Sequence, residues 1–212
     1  MKILLYGDSI TDAGRNKEVR ATNVPWAYGY GYPTFIAGEL YSEDPTKYTV
    51  INRGISGNRI VDLYSRIKVD VWNENPDVLS ILIGINDIWH EINYKNGVEL
   101  ERFDKIYRML IEDTKKVLPN VKIMLIEPFV LQGTATSEKL DRFNEVYNYS
   151  EAIKRIAEDY GCIFVPTQNK LTEAAEKYGA EHILYDGVHP MLAGAKIIAT
   201  EWLKAFKENC EK

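Results

Sequence analysis

Two short stretches far apart in the chain hold residue types suited to nucleophilic attack on a carbonyl carbon. Near one end, Ser9 follows Gly7-Asp8; near the other, Asp186-Gly187-Val188-His189-Pro190 puts a carboxylate three residues before an imidazole. A serine hydroxyl is a weak nucleophile until a neutral imidazole takes its proton during attack. The imidazole needs an acceptor on its second nitrogen, which fixes the tautomer and steadies the imidazolium that forms. Asp186 can supply that acceptor to His189 from within one turn, so Ser9, Asp186 and His189 are candidate catalytic residues. Attack also puts negative charge on the former carbonyl oxygen, which calls for donors already in place. Asn86 of Gly84-Ile85-Asn86-Asp87 offers a side-chain amide. Gly57 of Gly54-Ile55-Ser56-Gly57-Asn58 can bring its backbone N–H close because it lacks a Cβ, and the Ser9 N–H is the natural third donor. Taken singly, each feature has a plainer reading: glycines that end strands, an Asn that caps a turn, an Asp-His surface turn.

These residues need a scaffold, and the hydrophobic pattern supplies one. Short apolar runs at 2–6, 48–52, 78–83, 121–127 and 162–165 read as strands. The third has almost no polar alternation, which suits a strand covered on both faces in a parallel sheet. Apolar residues at helical spacing mark helices at 58–71, 99–118, 137–160 and 190–206, the last with Pro190 in its first turn. Strands alternating with helices predict a flavodoxin-like α/β fold, a three-layer α/β/α sandwich around a five-stranded parallel sheet. No linker, repeat or low-complexity stretch divides the chain, so residues 1–212 are expected to form a single domain. Ligands in such folds bind beyond the carboxyl ends of the strands. Three of the four polar blocks follow strands directly, so they are expected to converge there.

The four blocks, in this order, resemble the SGNH hydrolases, the GDSL-type esterases named for a Ser, Gly, Asn and His in separate blocks. Gly7-Asp8-Ser9-Ile10 matches the first block, with Ile where many members have Leu. Ile55-Ser56-Gly57-Asn58, Gly84–Asp87 and Asp186–His189 match the others. The resemblance implies Ser9 as nucleophile, His189 as general base and acid, and Asp186 as its orienting carboxylate. It implies an oxyanion hole of Ser9, Gly57 and Asn86; Gly54, earlier in the same loop, is the alternative glycine. A closer resemblance, carried also by Thr11-Asp12 and Ile88-Trp89, is to bacterial acetyl-xylan and acetyl-xylo-oligosaccharide esterases. It implies hydrolysis of short, acetyl esters on carbohydrates through an acyl-enzyme. Relatives are often oligomeric, so a homo-oligomer is among the expectations. Lysophospholipase or thioesterase chemistry of the same family stays open, as does a non-catalytic carbohydrate-binding domain.

Trp26, Tyr28, Tyr30 and Tyr32 read as an aromatic loop, and Trp89 directly follows the Asn86 block. Flat aromatic faces suit sugar rings, which makes Trp26 and Trp89, with Asp8 beside the nucleophile, candidate substrate contacts. A net charge of −5 without a basic stripe argues against a nucleic-acid partner. His90, His182 and His189 form no metal-binding spacing, and no phosphate-loop motif is present, so neither metal nor cofactor is expected. His90 and His182 read as surface or boundary residues. Cys162 reads as a core residue and Cys210 as exposed, too few for a disulfide framework. The first apolar run is far shorter than a signal peptide's core or a membrane span, so a cytoplasmic protein without membrane contact is expected.

Overall fold

The structure, a computed structural model, describes residues 1–19 and 22–211. Among these residues, five strands form one sheet in the order β2-β1-β3-β4-β5, every pair parallel. They are β1 (Lys2–Gly7), β2 (Thr49–Gly54), β3 (Val78–Leu82), β4 (Lys122–Ile126) and β5 (Ile163–Val165). All of β3 is buried, Ser80 included, as its near-absence of polar alternation predicts. Between and after the strands run α1 (Ser9–Asp12), α2 (Tyr32–Glu43), α3 (Ile60–Ile67), α4 (Ile85–Tyr94) and α5 (Leu100–Val117). They are followed by α6 (Leu140–Phe143), α7 (Val146–Tyr160), α8 (Gln168–Tyr178) and α9 (Leu192–Asn209). Helices α3, α5 and α7 pack side by side, and α2, α8 and α9 pack together. Right-handed crossovers place these groups on opposite faces of the sheet, giving the three-layer sandwich.

The core joins both layers to the sheet. Trp202 of α9 is fully buried, and its indole N–H donates to the buried Ser80 hydroxyl of β3 at 2.8 Å. From β1 the chain moves one way to β2, then crosses to β3 on the other side. The order reverses between β1 and β3, so the loops after those strands flank the crevice where such folds bind ligands.

Several helices depart from the expected boundaries. The 137–160 segment is not one helix: a 3-10 turn over Ser137–Lys139 leads to α6, and Asn144-Glu145 separates α6 from α7. The break lets Phe143 and Val146 both be buried, Phe143 edge-on beneath Trp89. The predicted 58–71 helix is regular only to Ile67 and ends in a π turn. Pro190 is not in a first turn. It bridges Leu184, the Met191 N–H donates to Ile183 O at 2.9 Å, and only then does α9 begin. Helices α2, α4 and α8 lie where no helix was predicted. Tyr32, assigned to an aromatic loop, is fully buried in α2 with its hydroxyl on Thr11. Cys210 is buried against the core, not exposed, because α9 carries it past Phe206, whereas Cys162 is only partly buried. Among the described residues no helix is long and apolar enough to cross a membrane.

Candidate active site

Ser9 opens α1 directly beyond β1. Asp8 caps that turn, its Oδ1 accepting the Ile10 N–H at 2.9 Å. The turn is tight against its neighbours: a Cβ on Gly7 would meet Thr11 and the Leu82 carbonyl, and one on Gly54 would strike the backbone of Thr11 and Asp12. Glycine at these positions lets the ends of β1 and β2 close around the nucleophile's helix.

From the other end of the chain, His189 reaches Ser9, with Nε2 2.8 Å from the hydroxyl oxygen. Its Nδ1 lies 2.7 Å from Asp186 Oδ2. The second carboxylate oxygen, Oδ1, accepts the backbone N–H groups of Val188 at 2.9 Å and His189 at 2.7 Å. The turn is braced by the 131–137 segment, where the Leu131 N–H donates to Gly187 O at 2.8 Å and the Ala135 N–H to Asp186 O at 3.0 Å. Gly187 sits at φ +96°, where a side chain would also collide with Thr136 and Leu131. Two aromatic rings stand close to the imidazole, Tyr185 nearly parallel at 5.7 Å and Trp89 tilted at 5.8 Å.

Burial opposes charge on Asp186, but the His189 ring and the two backbone donors outweigh it and hold its pKa below the usual carboxylate range. For His189, burial works downward while Asp186, with a smaller contribution from Asp8, works upward; the net shift is upward. The arrangement can therefore take a proton from Ser9 and stabilise the resulting imidazolium.

Ser9, His189, Gly57 and Asn86 line one open cleft of about 310 Å³. Gly57 stands at φ +81° with almost no neighbour where a Cβ would go, so backbone conformation, and not space, asks for glycine. Gly54 closes β2 against α1 and does not line the cleft. The Asn86 amide donates one hydrogen to Asn58 O at 3.1 Å, which leaves its second N–H for a ligand. Asn58 is itself held by Arg66, whose Nε donates to Asn58 Oδ1 at 2.7 Å.

Of the expected substrate contacts, Trp89 lines the cleft. Asp8 does not. It is fully buried beneath Ser9 as the helix cap, and burial pushes its carboxyl up to about 7. Trp26 is also absent from the cleft; it sits exposed on a 3-10 turn over Pro25–Ala27. The sequence reading missed His90, Asn93 and Tyr94, which share the wall with Trp89. Their signal was available: on α4 they follow Asn86 by four, seven and eight residues, the spacing of a helical face. Tyr185 was missed as well; with Tyr30, Ile10 and Ala13 it forms a recess of about 30 Å³ on another side of Ser9.

The family model for GDSL-like lipases and acylhydrolases matches residues 5–197. An acetylxylan esterase of Geobacillus stearothermophilus is 34% identical over 208 residues, covering 96% of this chain and 92% of that protein. Among solved structures, a Parabacteroides merdae protein of the GDSL-like lipase type superposes with a TM-score of 0.90 at 37% identity, covering 97% and 95% of the two chains. An acetyl-xylooligosaccharide esterase from Geobacillus superposes at 0.86 with 33% identity, covering 96% and 93%. Variants of that bacterium's acetylxylan esterase described as catalytic replace a serine, an aspartate and a histidine.

Proposed function

Because this chain belongs to the GDSL-like lipase/acylhydrolase family and is an ester hydrolase, we propose that Ser9, His189 and Asp186 form its catalytic triad and that it removes acetyl groups from carbohydrates such as xylo-oligosaccharides. The observation that carries this reading is the unbroken relay from Ser9 through His189 to Asp186, at 2.8 and 2.7 Å, opening on the cleft.

In this reading the Ser9 oxygen attacks the ester carbonyl carbon as its proton passes to His189 Nε2. Asp186 holds the Nδ1 proton and steadies the imidazolium. Charge on the carbonyl oxygen is met by the Ser9 and Gly57 N–H groups and the free hydrogen of the Asn86 amide. Collapse breaks the bond to the sugar oxygen, which leaves with the proton from His189 and the acyl group on Ser9. Water, deprotonated by His189, then attacks the acyl carbonyl, and collapse releases acetate as His189 returns the proton to the departing Ser9 oxygen.

The sizes of the two spaces beside Ser9 support an acetyl substrate. The recess under Tyr30 and Tyr185 is about 30 Å³, room for a methyl group and not for a fatty chain. The larger cleft carries Trp89 and Tyr94 with the polar Ser56, His90 and Asn93, an aromatic and polar wall suited to a sugar ring. The test is acetate release from acetylated xylo-oligosaccharides by the wild type and by Ser9→Ala. Release by the wild type alone is expected. If the wild type cleaves a simple acetate ester but releases nothing from the sugar, the carbohydrate assignment falls while the hydrolase stands.

A further inference from the structure

The loop that carries Gly57 is a turn closed by the Asn58 N–H on Ile55 O at 3.2 Å, with Ser56 and Gly57 at its two central positions. Gly57 third at φ +81° is what a type II turn requires. Type I and type II turns differ by a flip of the peptide between the two central residues, here the peptide that ends in the Gly57 N–H. The turn's own hydrogen bond does not touch that group. Its direction depends on where the two ends of the turn are held.

Two anchors flank it. On the far side, Asn58 is tied to Asn86 and Arg66. On the near side stands Asp12, the last residue of α1, whose Oδ2 accepts both the Ser56 N–H and the Ser56 hydroxyl, each at 3.0 Å. Lys17 reaches the same oxygen at 3.0 Å. Asp12 is 1% exposed, and its Oδ1 is buried with no hydrogen-bond partner among the described residues. A carboxylate placed so deep with one oxygen idle is a poor way to stabilise a fold, which directs attention to what the other oxygen holds.

We infer that Asp12 is a positioning residue for the hydrolysis: from the helical turn that carries Ser9, its carboxylate fixes the loop at Ser56 and so aims the Gly57 N–H at the oxygen of the carbonyl that Ser9 attacks. The inference rests on the reading of Gly57 as an oxyanion donor. Nucleophile and donor then move as one body, because α1 bears Ser9 at one end and Asp12 at the other. The tie is reinforced where Arg15 Nε donates to Gly54 O at 3.0 Å and the Asn52 amide to Thr11 O at 2.6 Å.

The test compares Asp12→Ala, Asp12→Asn and Ser56→Ala with Asn86→Ala, using 4-nitrophenyl acetate and counting active sites by complete labelling with an organophosphonate. Loss of a whole oxyanion donor costs about 10²–10³ in kcat, so a misaimed one should cost Asp12→Ala about 30- to 100-fold per labelled site, with KM within about threefold. Asp12→Asn keeps an oxygen for Ser56 and should recover most of this, to within about tenfold of wild type. Ser56→Ala keeps the backbone bond and should also stay within about tenfold but measurably below wild type. If Asp12→Ala does not fold, the other two variants carry the test. A fall in the labelled fraction with kcat per site unchanged would mean a folding role and overturn the proposal. If all Asp12 and Ser56 variants keep wild-type kcat while Asn86→Ala loses its hundredfold, the positioning role fails and the oxyanion hole stands. If Asn86→Ala also keeps its kcat, the oxyanion reading fails and takes the proposal with it.

Discussion

Asp186→Asn is the sharpest probe of the relay, because the structure dictates how the new amide must sit. In the native turn Oδ1 accepts two backbone N–H groups and Oδ2 accepts the His189 ring. An Asn side chain has one oxygen. Placed toward His189, it would leave its NH2 facing two N–H donors; placed toward the backbone, it satisfies both. The second orientation wins, and it turns the NH2 toward His189 Nδ1. That nitrogen must then be an acceptor, so the ring proton moves to Nε2, which faces Ser9 as a donor and cannot take its proton. Wrong-tautomer variants of serine triads lose about 10⁴ in kcat, or ~5.5 kcal/mol of transition-state stabilisation, and a loss of that size is expected here. The pH profile should move too. The active form is neutral His189, and Asp186 raises its pKa against the downward pull of burial. In the wild type the acid limb of kcat/KM therefore lies above the ordinary imidazole value; with the Asp186 charge gone, burial prevails and the limb moves to lower pH. The assay is hydrolysis of 4-nitrophenyl acetate from about pH 5 to 9, corrected for background. Activity within tenfold of wild type, or an acid limb that stays in place or rises, would refute the reasoning.

Asn86→Ala should lower kcat by about 10²–10³; a change confined to KM would make Asn86 a substrate binder and not an oxyanion donor. Trp89→Ala removes part of the cleft wall, so kcat/KM on acetylated xylo-oligosaccharides should fall about tenfold more than on 4-nitrophenyl acetate. Equal losses on the two would place Trp89 in the support of His189 alone. Ser80→Ala leaves the buried Trp202 indole N–H without its acceptor and should destabilise the fold by about 1–3 kcal/mol, read from the urea midpoint. An unchanged midpoint would show that the bond contributes nothing net.

The strands were legible because each is a short, largely apolar run bounded by turn residues, whereas their order β2-β1-β3-β4-β5 was not, since crossover hand alone allows several orders. Helix α4 was not legible. Gly84-Ile85-Asn86-Asp87 read as a loop, but the helix begins at Ile85, with Gly84 at φ +135° as the cap that turns the chain into it shortly after β3. Missing α4 hid His90, Asn93 and Tyr94, whose significance depends on helical spacing. Helix α2 was masked in the same way by Gly29, Gly31 and Pro33, which suggest a loop but here precede and open a helix. Asp8 was misjudged because proximity to Ser9 in sequence says nothing of which face the side chain takes; capping α1 turns it inward. The residues of the relay were legible as types, since the chemistry needs a hydroxyl, an imidazole and a carboxylate. Their meeting across the fold was expected from blocks that follow strands, and the pairing of Ser9 with His189 from the family resemblance, but no local pattern gave its geometry.

That meeting has a kinetic consequence. Ser9 and His189 are separated by 180 positions, and β1, which delivers the serine, must be flanked by β2 and β3 before its end is fixed. Contacts of such long sequence separation form late, after the entropy of closing large loops has been paid. During refolding, helical signal should return first and ester hydrolysis last. Recovered activity would then time the final docking of the 184–190 turn onto the sheet.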